Sequence, residues 1–248
     1  MSLPLFVAAA GALDGAGPGT ALVLDGDEGR HAASVRRIRA GEHVDVADGA
    51  GRVATCVVTG AERDRLALAV EAVREVAVRL PRLVLVQALA KGGRDELAVE
   101  TATEYGVDAV VPWQAARCVV RWDADRADRG LRRWEATALA AAKQSRRATV
   151  PRVHPPVTTA DLAAQARAGA CVVVLHEAAG TPLTAVPLPP DASQVLLAVG
   201  PEGGIDDAEL AALTGAGAVA ARLGPEVLRA SSAGPAALAV LSVRLGRW

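Results

Sequence analysis

The run Val195-Leu-Leu-Ala-Val-Gly200-Pro201-Glu202-Gly203-Gly204-Ile205-Asp206 carries the sharpest chemical signal in this chain of 248 residues. It reads as a buried strand, a glycine-rich loop and the start of a helix. Open α/β sheets bind ligands at the carboxyl ends of their strands. Gly203 and Gly204 let the backbone meet such a ligand with no Cβ in the way. No Gly-Lys-Ser/Thr follows, and the glycine spacing is not that of a dinucleotide fingerprint. A ligand without phosphates is therefore expected at this loop.

A second run, Ala221-Arg222-Leu223-Gly224-Pro225-Glu226-Val227-Leu228-Arg229-Ala230-Ser231-Ser232-Ala233-Gly234, repeats the order of strand, loop and helix. Ser231 or Ser232 can cap the closing helix, whose first amides then face the same rim as the fixed charge of Arg229. A third run, Ala90-Lys91-Gly92-Gly93-Arg94-Asp95, puts Lys91 and Arg94 at another strand's carboxyl end. There they suit a phosphate backbone or simply a polar loop. Lys143, Arg146, Arg147 and Arg152 cluster at the end of a long helix, which suits the helix dipole as well as it suits phosphates. Glu177 follows a strand end and can line a site or its rim. His31, His43, His154 and His176 show no metal-ligand spacing, and no GxSxG or HExxH occurs. No metal site is expected.

These segments need a frame to position them. From about Leu80 the chain alternates apolar strands with helices. The expected strands are Leu83–Leu89, Val107–Pro112, Cys171–Leu175, Val195–Val199 and Val219–Leu223. The expected helices are Asp95–Tyr105, Arg126–Arg147, Asp161–Ala168, Asp206–Leu213 and Ser231–Leu245. That rhythm predicts a mostly parallel α/β sheet. Ahead of it, Ala21–Leu24, His43–Ala47, Val53–Thr59 and Arg65–Val70 are short β-branched runs divided by Gly and Asp pairs, which predicts a small barrel or sandwich. A helical insert, His31–Ile38, carries Arg36 and Arg37, with Arg39 beside it. The boundary falls near Val73–Pro81, dividing the chain into domains 1–72 and 73–248.

Charge qualifies this division. The total is −1, which by itself argues against a general nucleic-acid binder. Residues 73–153 nevertheless carry 15 basic and 10 acidic side chains, so the middle of the chain is basic while its two flanks are acidic. Nearly all the cations are Arg, whose fork suits phosphates and base edges. Three scattered cysteines with no CxxC indicate reduced thiols rather than a disulfide framework. The apolar stretch from Leu3 to Leu13 lacks a basic leader, so a secretory signal is not expected, and no apolar run has the ~20 residues of a membrane helix.

Five segments in order, RHAASVRRIRAGEHVDVADGAG, KGGRDELAVETATEYGVDAVVP, AAKQSRRATVP, GPEGGIDDAEL and LGPEVLRASSAG, resemble the RsmE family. These are bacterial small-subunit ribosomal RNA uridine N3-methyltransferases of the SPOUT superfamily, and the resemblance spans almost the whole chain. It implies a PUA-like RNA-binding β-barrel followed by a trefoil-knotted α/β domain that binds S-adenosylmethionine and forms a homodimer in the cytoplasm. The knot comes from the family alone, since chain threading is otherwise very rare. By motif match, the donor is expected at Leu175, His176, Glu177, Gly200, Pro201, Glu202, Gly203, Gly204, Leu223, Gly224, Leu228, Arg229, Ala230, Ser231 and Ser232. Arg229 is the expected catalytic cation, and Glu202 or water the expected base. RNA contacts are expected from Arg36, Arg37, Arg39, Lys91, Arg94, Arg146, Arg147 and Arg152, with 16S RNA of the small subunit as partner. Many relatives read LRTETA where this chain has Leu-Arg-Ala230-Ser231-Ser232-Ala, so a Glu at that place is Ser231 here. The alternatives are a methyltransferase acting on another RNA, such as transfer RNA, and a non-catalytic RNA-binding assembly factor.

Overall fold

A computed structural model describes residues 3–9 and 11–248. Met1, Ser2 and Ala10, which fall within the expected first domain and its apolar stretch, lie outside the described residues. The chain divides into two compact units, Met1–Val78 with Ala142–Val150, and Arg79–Ala141 with Pro151–Trp248. This division differs from a cut between residues 72 and 73 in two ways. Strand β5 (Leu66–Glu75) runs past that cut, still paired with β4 (Arg52–Ala61) at Glu75 and Arg52. Residues 142–150 join the first unit because Thr149 bridges Gly49 and Ala50, and the Val150 N–H donates to the Gly49 carbonyl at 2.9 Å.

The first unit holds one sheet of β1 (Leu5–Val7), β2 (Ala21–Leu24), β3 (His43–Ala47), β4 and β5, in the order β1-β3-β4-β5-β2 among the described residues. β1 runs parallel to β3 and the other pairs are antiparallel. Alternate side chains, among them Phe6, Val44, Val46, Cys56, Leu66, Leu68 and Val70, turn into its core. β1 arises from the apolar stretch at the N-terminus: Phe6 is buried in this core. The helical insert differs from the expected His31–Ile38. An α-turn, α1 (Gly26–Arg30), comes first and passes into a π-helical turn over His31–Val35. Gly29 permits the early start, because a Cβ there would lie 2.4 Å from the Asp64 carbonyl oxygen. Arg36 closes the turn and Arg37 takes a left-handed φ of 56°.

The second unit is built on a parallel sheet. Its strands are β6 (Arg82–Ala88), β7 (Ala109–Gln114), β8 (Arg152–Val153), β9 (Val157–Thr158), β10 (Cys171–Leu175), β11 (Gln194–Val199) and β12 (Val219–Ala221). The order is β12-β10-β11-β6-β7-β8, with β9 also on β7. Buried on both faces, the central strands are near-continuous apolar runs, as parallel sheets require. Around it lie α2 (Arg94–Glu104), α3 (Ala124–Gln144), α4 (Thr159–Arg167), α5 (Asp207–Gly215) and α6 (Ala230–Arg244). α6 packs on α2, β6 and β11. Gly234 allows that closeness, since a Cβ would stand 2.7 Å from Leu85 Cδ1.

Two helix ends depart from expectation. α6 starts at Ala230, so Ser231 and Ser232 lie inside its first turn and do not cap it. The N-cap position is taken by Arg229, whose backbone is extended and whose carbonyl accepts from Ser232 N–H at 2.8 Å and Ala233 N–H at 3.0 Å. α3 stops at Gln144, and the left-handed Arg146 (φ 56°) puts Arg146 and Arg147 beyond the helix. Between β10 and β11 the chain crosses as a strap without a long helix. Arg222 exchanges backbone hydrogen bonds with it at Thr181 and Leu183, and Arg244 donates to the Leu183 and Val186 carbonyls at 2.8 Å each.

Candidate active site

β12, β10 and β11 are adjacent, so their carboxyl ends open onto one place. A cleft of about 560 Å³ lies there, walled by Leu175, His176 and Glu177 after β10, the loop from Gly200 to Ile205 after β11, and Arg222, Leu223 and Gly224 after β12. Leu228, Arg229, Ala230 and Ala233 close it from the start of α6. Every expected donor-site residue lines this cleft except Ser231 and Ser232. Ser231 is buried in the first turn of α6, so this chain offers no carboxylate there, and Ser232 points to solvent.

The glycine-rich loop turns back tightly on itself. A Cβ on Gly200 would lie 2.7 Å from Ile205 Cγ1, so only glycine leaves room for Ile205 to seal the loop. Gly204 has φ +73°, a region that disfavours side chains. Asp206 then caps α5 by accepting the Glu209 N–H at 2.7 Å.

Two cations from neighbouring strand ends hold the loop. Arg94, at the start of α2, pairs with Glu202 at 2.9 Å, and the Lys91 N–H reaches the same oxygen at 3.3 Å. Burial pushes the Glu202 carboxyl up, but these hydrogen bonds and the Arg94 charge outweigh it and hold the group below its usual range. A carboxylate held so is a weak proton acceptor, so its geometry favours anchoring the loop over serving as base. Arg117, after β7, donates to the Gly203 carbonyl at 3.0 Å and lines the cleft. Arg229 also lines it, exposed and without an ion pair among the described residues.

The remaining Arg candidates lie elsewhere. Arg36, Arg37, Arg39 and Arg146 are exposed on the first unit, where Arg147 donates to the Thr149 hydroxyl at 3.2 Å. Lys91 and Arg152 are exposed on the second unit. Arg117, Arg222 and Glu226 are cleft residues that the motifs did not single out. The signal for Arg117 was the one used for Lys91 and Arg94, a cation just past a parallel strand. Among the described residues no group of three or more His, Cys, Asp and Glu could hold a metal ion, and no helix is long and apolar enough to cross a membrane.

Comparison with known proteins agrees with this geometry. An RNA methyltransferase domain family matches residues 78–242, and an RNA methyltransferase PUA domain family matches residues 24–71. The chain is 51% identical over 234 residues to ribosomal RNA small subunit methyltransferase E of Mycobacterium bovis, covering 93% of this chain and 89% of that one. It is 31% identical to the Bacillus subtilis protein of the same name, with 88% of each covered. Among solved structures, ribosomal RNA small subunit methyltransferase E of Neisseria gonorrhoeae, bound to S-adenosyl methionine, superposes with TM-score 0.86 at 26% identity over 98% of both chains. A putative methyltransferase from Legionella pneumophila, in complex with the same cofactor, gives 0.85 at 28% identity, also over 98% of both. The architecture is thus a SPOUT-type, mostly parallel sheet domain preceded by a PUA-like domain, and the chain belongs to the RsmE family of ribosomal RNA small subunit methyltransferases.

Proposed function

We propose that this chain transfers a methyl group from S-adenosylmethionine to N3 of a uridine in the decoding region of 16S ribosomal RNA. The observation that carries the reading is the glycine-lined cleft of about 560 Å³, within the usual size of small-molecule sites, in a chain of this family. The cleft suits that donor chemically. Leu175, Val199, Leu223 and Leu228 supply apolar wall, Glu177 and Glu226 supply negative charge for a cationic ligand, and no phosphate-binding loop is present. Leu175–Glu177, Gly200–Gly204, Leu223–Gly224 and Leu228–Ala230 would hold it. When bound, the donor supplies an electrophilic methyl group on a sulfonium.

The protein's part is positioning and charge. Uracil N3 must lose its proton, which passes to water because Glu202 is engaged by Arg94, and the resulting charge spreads onto the two flanking carbonyl oxygens. Arg229 stabilises that charge with a fixed cation at the cleft. Holding acceptor and donor in line at near-attack distance contributes several kcal/mol more, on the order of 7 in ideal cases. The target base leaves its stack to enter the cleft. The PUA-like unit, the exposed Arg36, Arg37, Arg39, Arg146, Lys91 and Arg152, and the half-buried Arg147 engage the RNA backbone, while Arg94 acts on the loop through Glu202. The second unit carries donor binding, catalysis and a homodimer contact, and the enzyme works in the cytoplasm.

The test is to incubate the protein and labelled donor with small subunits lacking the modification, with free 16S RNA and with transfer RNA, then map the label. Label at N3 of one uridine in 16S RNA is expected. Label on transfer RNA alone, or no transfer despite donor binding, overturns the reading.

A further inference from the structure

Arg117 belongs to none of the family-like motifs, yet its surroundings fix where its guanidinium lies. The segment after β7 is pinned along its length. Glu209, only 8% exposed on α5, accepts the Ala116 N–H on Oε1 at 2.9 Å and the Thr159 hydroxyl on the same oxygen. Gln114 Oε1 accepts the Trp122 N–H at 3.0 Å, and Arg121 donates back to the Ala116 carbonyl at 2.8 Å. Trp122 lies against Gly130 so closely that a Cβ there would come within 2.3 Å of the ring. A segment held in this way delivers the Arg117 side chain to one location.

At that location it meets the donor-site loop. Nη1 donates to the Gly203 carbonyl at 3.0 Å, and a Cβ on Gly203 would stand 3.3 Å from Arg117 Cβ. Arg117 has no ion pair among the described residues, so an un-neutralised cation makes this bond. Glu202 and Gly203, consecutive in the loop, are thus each held by an arginine, Arg94 and Arg117, from the neighbouring ends of β6 and β7. Two successive glycines give a loop wide freedom when nothing restrains it. A loop that is already held spares the ligand the cost of ordering it.

We propose that Arg117 is a positioning residue for the methyl-donor site: it braces the glycine-rich loop through the Gly203 carbonyl, and buried Glu209 sets its place through the Ala116 N–H. The proposal rests on reading the cleft as the S-adenosylmethionine site. The test measures donor affinity by calorimetry, KM for donor and for RNA, and Tm, in wild type and in Arg117→Ala, Arg117→Lys, Glu209→Ala and Glu209→Gln. Arg117→Ala is expected to weaken donor binding about tenfold, the worth of one charge-assisted hydrogen bond, with RNA KM and Tm unmoved. Lysine, which retains one donor, restores part of the affinity. Glu209→Ala weakens donor binding likewise, and Glu209→Gln, which keeps an acceptor for the Ala116 N–H, restores it. If Glu209→Ala does not fold, the Arg117 variants decide. Equal donor affinity in wild type and Arg117→Ala overturns the brace, as does a rise in RNA KM alone. A wild-type protein that binds no donor instead refutes the reading of the cleft, and the brace with it.

Discussion

Gly200→Ala is the smallest change that tests how the donor-site loop is closed. The new Cβ would lie 2.7 Å from Ile205 Cγ1 and 3.4 Å from both Ile205 Cδ1 and the Ile205 backbone nitrogen. Carbon atoms prefer about 3.5–4.0 Å, so Ile205 must move by roughly 1 Å. It is 5% exposed and has little free space to take up. Gly200 does not have a positive φ, so the cost is steric rather than torsional. Overpacking of this kind costs about 1–3 kcal/mol, and in a chain of this size each kcal/mol lowers Tm by about 2–4 °C. A fall of about 2–12 °C is therefore expected, with weaker donor binding because the displaced loop borders the cleft. Gly215→Ala, with nothing within 4 Å of its new Cβ, is the control and should leave Tm unchanged or raise it. The decisive measurement is a double-mutant cycle by urea denaturation. Ile205→Ala removes the atoms that clash, so in that background Gly200→Ala should cost less than about 0.5 kcal/mol. An equal cost in both backgrounds would refute the steric account.

Arg229→Ala should slow single-turnover methyl transfer by about 10²–10³-fold, the usual loss of one charge-stabilising donor. Its Tm should hold, because the side chain makes no capping bond to α6; a wild-type rate would remove Arg229 from the reaction. The thiols supply an independent check on the cores. Burial, with the Asp45 and Glu71 charges nearby, pushes Cys56 up to about 11, and burial also raises Cys118 and Cys171. At pH 8 all three should resist iodoacetamide in the folded protein and react in urea, as read by intact mass. Fast labelling of folded Cys56 would contradict the packing of the first unit.

Strands with a full period of their own were legible in the sequence. His43–Ala47 and Cys171–Leu175 have the bounds that alternation and an apolar run respectively suggest. The glycine-rich loop and its neighbour after β12 were legible as well, because strand, loop and helix follow one another locally. What escaped depends on distant partners. β1 is too short to show a period, and it is a strand because Leu5–Val7 pairs with Asp45–Ala47. Ser231 resembles a cap, but the extended backbone of Arg229 takes that position first. Arg117 and Glu209 acquire their roles only through bonds to Gly203 and Ala116, residues brought near by the sheet order. For Arg94 the sequence left a phosphate contact and a polar loop equally open, and its bond to Glu202 exists only because the fold brings the two strand ends together.

The sheet order also has a consequence in time. β6 lies between β7 and β11, and β7 follows it directly in the chain, whereas β11 is made only after α3, α4 and β10. During synthesis one flank of β6 therefore presents unpaired N–H and C=O groups, the kind of edge to which foreign strands add. At ~5–20 residues per second, the interval from β6 to β11 lasts on the order of ten seconds. Protection of the nascent chain matters most in that interval. The methyl-donor cleft is the last part of its unit to come into existence, although the strand at the unit's centre is the first to be made.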